Sequence, residues 1–310
     1  MKFIAALAIT NSHMGRLYGQ FSVLATGGAI GDAIFFFCSG FTLFLGQERR
    51  FDNWYKRRIS RIYPTVLMWA VITAFFMDKS YSIRDAILHG GGWFVSCIMV
   101  YYILLFIVRR IFGNKLWTAM IIVSALIVAY FYLTGSYLQL NFYGDGSFRL
   151  IFFFLIMLLG AIVGRNYQQL TMRWSLLYAI LFVAIFYCIL SFKNMFNIDV
   201  SSVLYLLTIV CLGGICVTLY TYCNSPSVAK ILDTRLGWFV KFIGGLCLEI
   251  YVVQHAIIER IPIVLTPINI ILAYIAIFVA AYLLKCCSRL FLQTFSKEDY
   301  NWREIIKPIG

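Results

Sequence analysis

The sequence predicts an all-α fold: a polytopic membrane helix bundle of about ten transmembrane helices with both termini cytoplasmic. Three observations carry this expectation. The 310 residues are 62% hydrophobic and 13% charged with a mean hydropathy of +0.86, whereas about a quarter of a soluble domain's residues are charged. Apolar stretches approaching the ~20 residues that a spanning helix needs recur from end to end. Lys and Arg alternate between the two sides of those stretches, with twenty of the 26 on the side that holds the N-terminus, the excess expected of cytoplasmic loops.

The first span, 3–14, opens behind Lys2. Its apolar run is short and no small-residue cleavage site closes it before Asn11, Ser12 and His13, so it reads as a retained span rather than a secretory leader. The second, 30–45, is rich in Phe. Residues 47–63 then mix Phe51, Trp54, Tyr55, Ile59 and Ile62 with Arg49, Arg50, Lys56, Arg57, Arg58 and Arg61, which predicts an amphipathic helix lying on the inner interface. Pro64 fits the first turn of the third span, 64–77.

The fourth span, 93–108, is followed on the inner side by Arg109, Arg110 and Lys115. Further spans fall at 116–134, 150–163, 174–192, 203–222, 242–257 and 268–287. Only Arg16, Lys79, Arg84, Arg149, Lys193 and Arg260 fall on the outer side. Several spans are shorter than 20 residues and are expected to extend into their loops or to lie inside the bundle, away from lipid. No internal repeat is apparent and no stretch remains for a sizeable soluble module, so 1–310 reads as a single membrane domain.

A net charge of +13 follows from this topology, so it does not argue for a nucleic-acid partner. The nine Cys are scattered, with Cys97, Cys188, Cys211 and Cys216 inside apolar stretches where a thiol packs as a small hydrophobe. Without a CxxC or a Cys/His ligand spacing, the sequence indicates neither a metal site nor a disulfide framework.

Titratable groups inside a membrane are costly and therefore candidates for function. The sequence offers His13, Asp32, Glu249 and His255, with the basic pair Arg58 and Arg61. At about 1.5 Å rise per residue, His13 lies roughly 16 Å beyond Lys2, near mid-depth. An imidazole there can take a proton from an acceptor hydroxyl and return it to a leaving group, or it can simply bond to its helical neighbours. Arg58 and Arg61 are three apart and share a helical face. Planar forks so placed suit a phosphate-bearing ligand. Asp32, at the outer start of the second span, has two readings: orienting His13 or an acceptor hydroxyl, or capping its helix. Glu249 and His255 are six apart on one helix, about 600° of turn, so they face different ways. Glu249 lies toward the inner half, beside the basic rim, and His255 toward the outer end.

Taken in chain order, these residues resemble the acyltransferase-3 family of integral-membrane O-acyltransferases, over nearly the whole length. The family's basic-residue-to-His spacing in the first span is matched by Lys2 and His13. Its Phe-rich second span ending in Ser-Gly is similar to GDAIFFFCSGF at 31–41, which holds Asp32 and Ser39. Its RxxR and following Tyr-Pro resemble Arg58, Arg61, Tyr63 and Pro64, and its aromatic fourth span resembles Trp93, Phe94, Tyr101 and Tyr102. Near the C-terminus, LEIYVVQH at 248–255 is similar to the family's Ser-Leu-Glu-Ile-Tyr-Leu stretch, with Cys247 in place of Ser.

The resemblance implies a cytoplasmic acyl-CoA, such as acetyl-CoA, as donor co-substrate, bound through Arg58, Arg61, Lys2 and Tyr63. It implies His13 in proton transfer; beside it the sequence offers Asp32 as the second catalytic candidate, and Trp93, Tyr101, Glu249, His255 and Ser39 as candidates to meet a carbohydrate acceptor, free or lipid-linked, at a bacterial cytoplasmic membrane. The leading expectation is an O-acetyltransferase of cell-surface polysaccharide. A transporter or export partner for an acyl carrier, a glycan or a small metabolite is the alternative, since intramembrane His and Glu also suit proton coupling. A passive scaffold would need none of these polar residues.

Overall fold

The computed structural model describes residues 1–45, 50–76, 91–133, 147–166, 170–192, 198–263 and 266–308, and among them every regular element is helical. The expected spans' ends at Met77 and Thr134, the basic residues Arg49, Lys79, Arg84 and Lys193, and the start of the interfacial segment lie outside the described residues. The helices are α1 (Lys2–Ser12), α2 (Gly28–Leu45), α3 (Phe51–Phe76), α4 (Gly92–Phe112), α5 (Leu116–Leu133) and α6 (Ser147–Arg165). There follow α7 (Ser175–Phe192), α8 (Ile198–Cys223), α9 (Pro226–Leu232), α10 (Arg235–Gly245), α11 (Cys247–Ile258) and α12 (Ile268–Thr294). Single turns at Gly15–Tyr18 and Trp302–Ile305 and a 3-10 helix at Gly19–Leu24 are also present among the described residues.

Among the described residues, six helices are long and apolar enough to cross a membrane: α2, α3, α4, α7, residues 206–223 of α8, and α12. A seventh is reached if α10 and α11 count as one span. That pair departs from the expected straight span over 242–257, because the chain bends by 74° between Gly245 and Cys247. Gly244 and Gly245 stand at the break, where two adjacent residues without side chains weaken the helix. Shorter apolar helices run over Leu116–Tyr130 and Leu150–Arg165. With 11 residues, α1 is about 16 Å long, half of a ~30 Å hydrocarbon core.

A second departure concerns 51–76. The expected separate interfacial helix and third span are one continuous helix of 26 residues with Pro64 in its interior, not in a first turn. Proline removes one ladder hydrogen bond there but need not end the helix, because neighbouring groups re-satisfy the backbone.

The chain forms two compact units. One comprises Met1, 32–48 and 103–231. In it α8 packs on α7 and α6, and α5 packs on α6. Glycines let α2 and α6 meet backbone to backbone: a Cβ at Gly40 would stand 1.9 Å from the Met157 carbonyl oxygen, and one at Gly160 would stand 2.1 Å from that of Phe37. Gly160 and Gly164 form a small-xxx-small face of the kind that brings membrane helices together. Phe36 and Phe153 stack beside this contact at 5.3 Å, both essentially fully buried.

The other unit comprises 2–31, 49–102 and 232–310. Here α11 is central, packed against α12, α1 and α3, while α1 also meets α10 and α12 meets α3. The first turn of α2 lies on α1, since a Cβ at Gly31 would fall 2.8 Å from the Ala5 carbonyl oxygen. Most sequence-predicted site residues belong to this unit.

Candidate active site

The site is built along α11, which carries a different polar or aromatic group toward each helix around it. It runs alongside α1: Cys247 Sγ contacts the Lys2 carbonyl oxygen at 3.4 Å at one end. At the other, the rings of His13 and His255 lie 4.1 Å apart between centroids, tilted by 55°. Between these contacts, Thr10 Oγ1 donates to Gln254 Oε1 at 3.0 Å in a fully buried setting. Two short helices thus run together from a basic end at Lys2 to an imidazole pair.

Arg16 explains why the two imidazoles meet. One of its nitrogens, Nη2, donates to the carbonyls of Ile258, Glu259 and Ile261 at 2.6, 3.0 and 2.8 Å. These carbonyls lie at the C-terminal end of α11, where the helix leaves acceptors unpaired and its dipole favours a cation. Arg16 itself lies just beyond α1, so one side chain ties the ends of both helices together. Asn11 holds the returning chain, donating to the carbonyls of Leu24 and Thr26 at 2.8 and 2.9 Å while accepting from Tyr18 Oη at 2.6 Å. Thr266 Oγ1 donates to the Leu17 carbonyl at 3.0 Å, fastening the start of α12 to the same corner.

Aromatic residues of α4 flank α11 one turn before His255. Phe94 lies 5.1 Å from the ring of Tyr251, and Trp93 stands edge-on to Phe94 at 6.0 Å. Gly92, at φ +65°, comes so close that a Cβ there would sit 3.1 Å from Tyr251 Oη. Trp93 is half-buried, while Tyr101 is only 2% exposed, so of these two only Trp93 presents surface.

At the opposite end of α11, Glu249 is buried and Thr65 Oγ1 of α3 contacts its Oε1 at 3.5 Å. Lys285 of α12 donates to the Gly245 carbonyl at the bend. Lys285, Arg289 and Glu249 lie within electrostatic reach of one another, and Arg61 reaches Lys285. The basic end therefore recruits α12 as well as α3, a contribution that the spacing of Arg58 and Arg61 does not reveal.

Arg58 and Arg61 occupy different settings. The Arg58 guanidinium lies over the rings of Trp54 and Tyr102, at 5.3 and 5.7 Å from their centroids, and Trp54 Nε1 donates to the Tyr102 carbonyl at 3.3 Å. Arg58 Nε is buried and has no hydrogen-bond partner among the described residues. Arg61 is exposed and Tyr63 half-buried. Arg58 is thus a cation held by aromatic faces, and Arg61 is the one open to an incoming anion.

Asp32 and Ser39 belong to the other unit, both half-buried on α2. The capping role considered for Asp32 is excluded, because α2 begins at Gly28 and Asp32 lies beyond its first turn. Ser39 offers its carbonyl to Thr42 Oγ1 at 3.2 Å.

Arranged this way, one unit presents an imidazole pair, a buried amide and an aromatic wall around one end of α11, with cations and a buried carboxylate around the other. A family model described as an acyltransferase domain matches residues 1–288. Comparison with curated proteins and with solved structures gave no match.

Proposed function

We propose, from the premise that this chain belongs to the acyltransferase-3 family, that this membrane acyltransferase moves an acetyl group from cytoplasmic acyl-CoA to a hydroxyl of a cell-surface polysaccharide or its lipid-linked precursor. The observation that supports this reading best is the 4.1 Å approach of His13 to His255 at the far end of two helices whose near end is basic. From Cys247 to His255 is about 12 Å of helix, a distance an extended pantetheine arm can span. Donor phosphates bind at the near end, where Arg61 is open, Arg58, Lys2 and Tyr63 assist, and Lys285 and Arg289 add charge.

His13 accepts the proton of the acceptor hydroxyl as its oxygen attacks the thioester carbonyl carbon. The C–O bond forms, the C–S bond breaks, and the CoA thiolate leaves with that proton returned through the imidazole. His255, against His13, orients it or shares the proton. Glu249 fixes the basic end, and Trp93 lines the acceptor side, where an aromatic face suits a sugar ring, with Tyr101 buried behind it.

Ten crossings are reached when α1, the α10–α11 pair and the two shorter apolar helices join the six long ones. An even count puts both termini on one side, and the excess of Lys and Arg on the N-terminal side supports a cytoplasmic location for them, in keeping with a bacterial inner membrane.

Donor binding tests the proposal. Purified protein in nanodiscs is expected to gain thermal stability with acetyl-CoA, by about 2.7 kcal/mol at a hundredfold excess over Kd, and to lose that gain in the Arg58→Ala, Arg61→Ala double variant. Substrate flux across vesicles without acetyl-CoA consumption would establish transport instead.

A further inference from the structure

Gln254 is fully buried on α11, and the two ends of its amide are treated differently. Oε1 accepts from Thr10 Oγ1 at 3.0 Å. Nε2 is buried too and has no hydrogen-bond partner among the described residues. An amide nitrogen carries two donors, and leaving them unpaired in an apolar interior forfeits their hydration without return. Such a group persists where something outside the chain supplies the acceptor.

Its position narrows what that acceptor is. Gln254 precedes His255, and its anchor Thr10 lies three residues before His13, so the amide sits within a turn of the point where the two imidazoles meet at 4.1 Å. Thr10 fixes Oε1, which leaves Nε2 as the end of the amide that α1 does not engage. The outcome is a preoriented neutral donor beside a proton-transfer group, in surroundings that exclude bulk water.

We propose that Gln254 Nε2 donates to the carbonyl oxygen of the acyl group in transit. This rests on the acyltransferase reading above. When the acceptor oxygen adds to the thioester carbonyl carbon, the carbonyl π pair moves onto its oxygen, and that oxygen takes the hydrogen bond from Nε2. Collapse re-forms the carbonyl and expels the CoA thiolate, which receives the proton that His13 took from the hydroxyl. A donor aimed at developing charge in a site of low dielectric contributes most in the transition state. Thr10 is then a positioning residue, acting on the acyl group only through the amide.

The test uses acetyl-CoA labelled with 13C at the thioester carbonyl, bound to the full-length protein in nanodiscs and read by difference infrared spectroscopy. In the wild type the bound carbonyl stretch moves to lower wavenumber than in free acetyl-CoA. Gln254→Leu keeps acetyl-CoA bound but loses the shift, and Thr10→Val reduces it. Acyl transfer in membranes carrying the natural acceptor falls by about 10²-fold in kcat for Gln254→Leu, with KM for acetyl-CoA little changed. Gln254→Met guards against a folding defect in the Leu variant, and the wild-type shift is informative without either.

Wild-type protein that binds acetyl-CoA with an unshifted carbonyl overturns the role of Gln254, its amide then being satisfied by water, and leaves the acyltransferase reading standing. Failure of the wild type to bind acetyl-CoA at all overturns both.

Discussion

Replacing Arg16 with Met removes the device that brings the ends of α1 and α11 together while leaving both imidazoles in the chain. Its magnitude follows from the three carbonyls that Arg16 serves, at 2.6, 3.0 and 2.8 Å. Hydrogen bonds to a charged group are worth roughly 1.5–3 kcal/mol each where buried. Two of the three here are exposed, and the dipole of α11 adds a fraction more, so a total of about 2 kcal/mol is appropriate after discounting for solvent. At about 2–4 °C per kcal/mol for a chain of this order, Arg16→Met should melt roughly 4–8 °C below the wild type in detergent, followed by scanning fluorimetry. If the loss falls on the imidazole geometry, about 2 kcal/mol corresponds to up to roughly thirtyfold in rate, so CoA release should drop by between about threefold and thirtyfold. Arg16→Lys should recover only part of either effect, because a single ammonium on a flexible stem cannot span three diverging carbonyls. An Arg16→Met protein with unchanged melting and unchanged turnover would refute this account of how the site is assembled.

Other outcomes follow from the same geometry. Gly160→Ala places a Cβ against the Phe37 carbonyl oxygen at 2.1 Å, and since backbone cannot yield as a side chain can, the cost should reach or exceed the ~3 kcal/mol end of overpacking, visible as lost monodisperse protein in size-exclusion chromatography. Arg58→Lys should behave more like Arg58→Ala than like wild type in melting assays, because a planar guanidinium against Trp54 and Tyr102 contributes about 0.5–2 kcal/mol that an ammonium only partly replaces. Glu249→Leu should destabilise more than Glu249→Gln, since the amide still accepts from Thr65 whereas the leucine leaves that hydroxyl and Lys285 without their buried partner; chemical denaturation in mixed micelles separates the two.

Much of the helical architecture is local and could be read from composition and period. The long spans at α2, α4, α7 and α12 are runs of apolar residues bounded by Lys, Arg or turn residues, and this pattern needs no tertiary information. What escaped has identifiable reasons. The bend between α10 and α11 had a visible signal in Gly244 and Gly245, yet apolar residues continue on both sides of them, so that 242–257 reads as one span. Gly160 and Gly164 also spell out a packing face, but a motif of small residues does not say which helix it meets.

Pairings at long range were beyond a single sequence. His13 and His255 were each selected for being titratable within an apolar context, but 242 positions separate them and nothing local says that they touch. Arg16 read as an outer-loop charge, because capping the end of another helix is a tertiary event. Trp54 beneath Arg58 was four residues away on the same helix and within reach of an i,i+4 argument. Tyr102 came from α4 and was not. Gln254 was passed over because an amide carries no charge to mark it in an apolar run. Burial and a missing partner, both properties of the folded chain, single it out.

The most direct measurement of the central claim follows labelled acetyl from acetyl-CoA into the envelope glycans of membranes that contain either the wild-type protein or His13→Ala, with mass spectrometry recording the hydroxyls that gain mass. The account predicts incorporation by the wild type and none above background by a His13→Ala protein that inserts and melts normally. Equal incorporation by the two would contradict it.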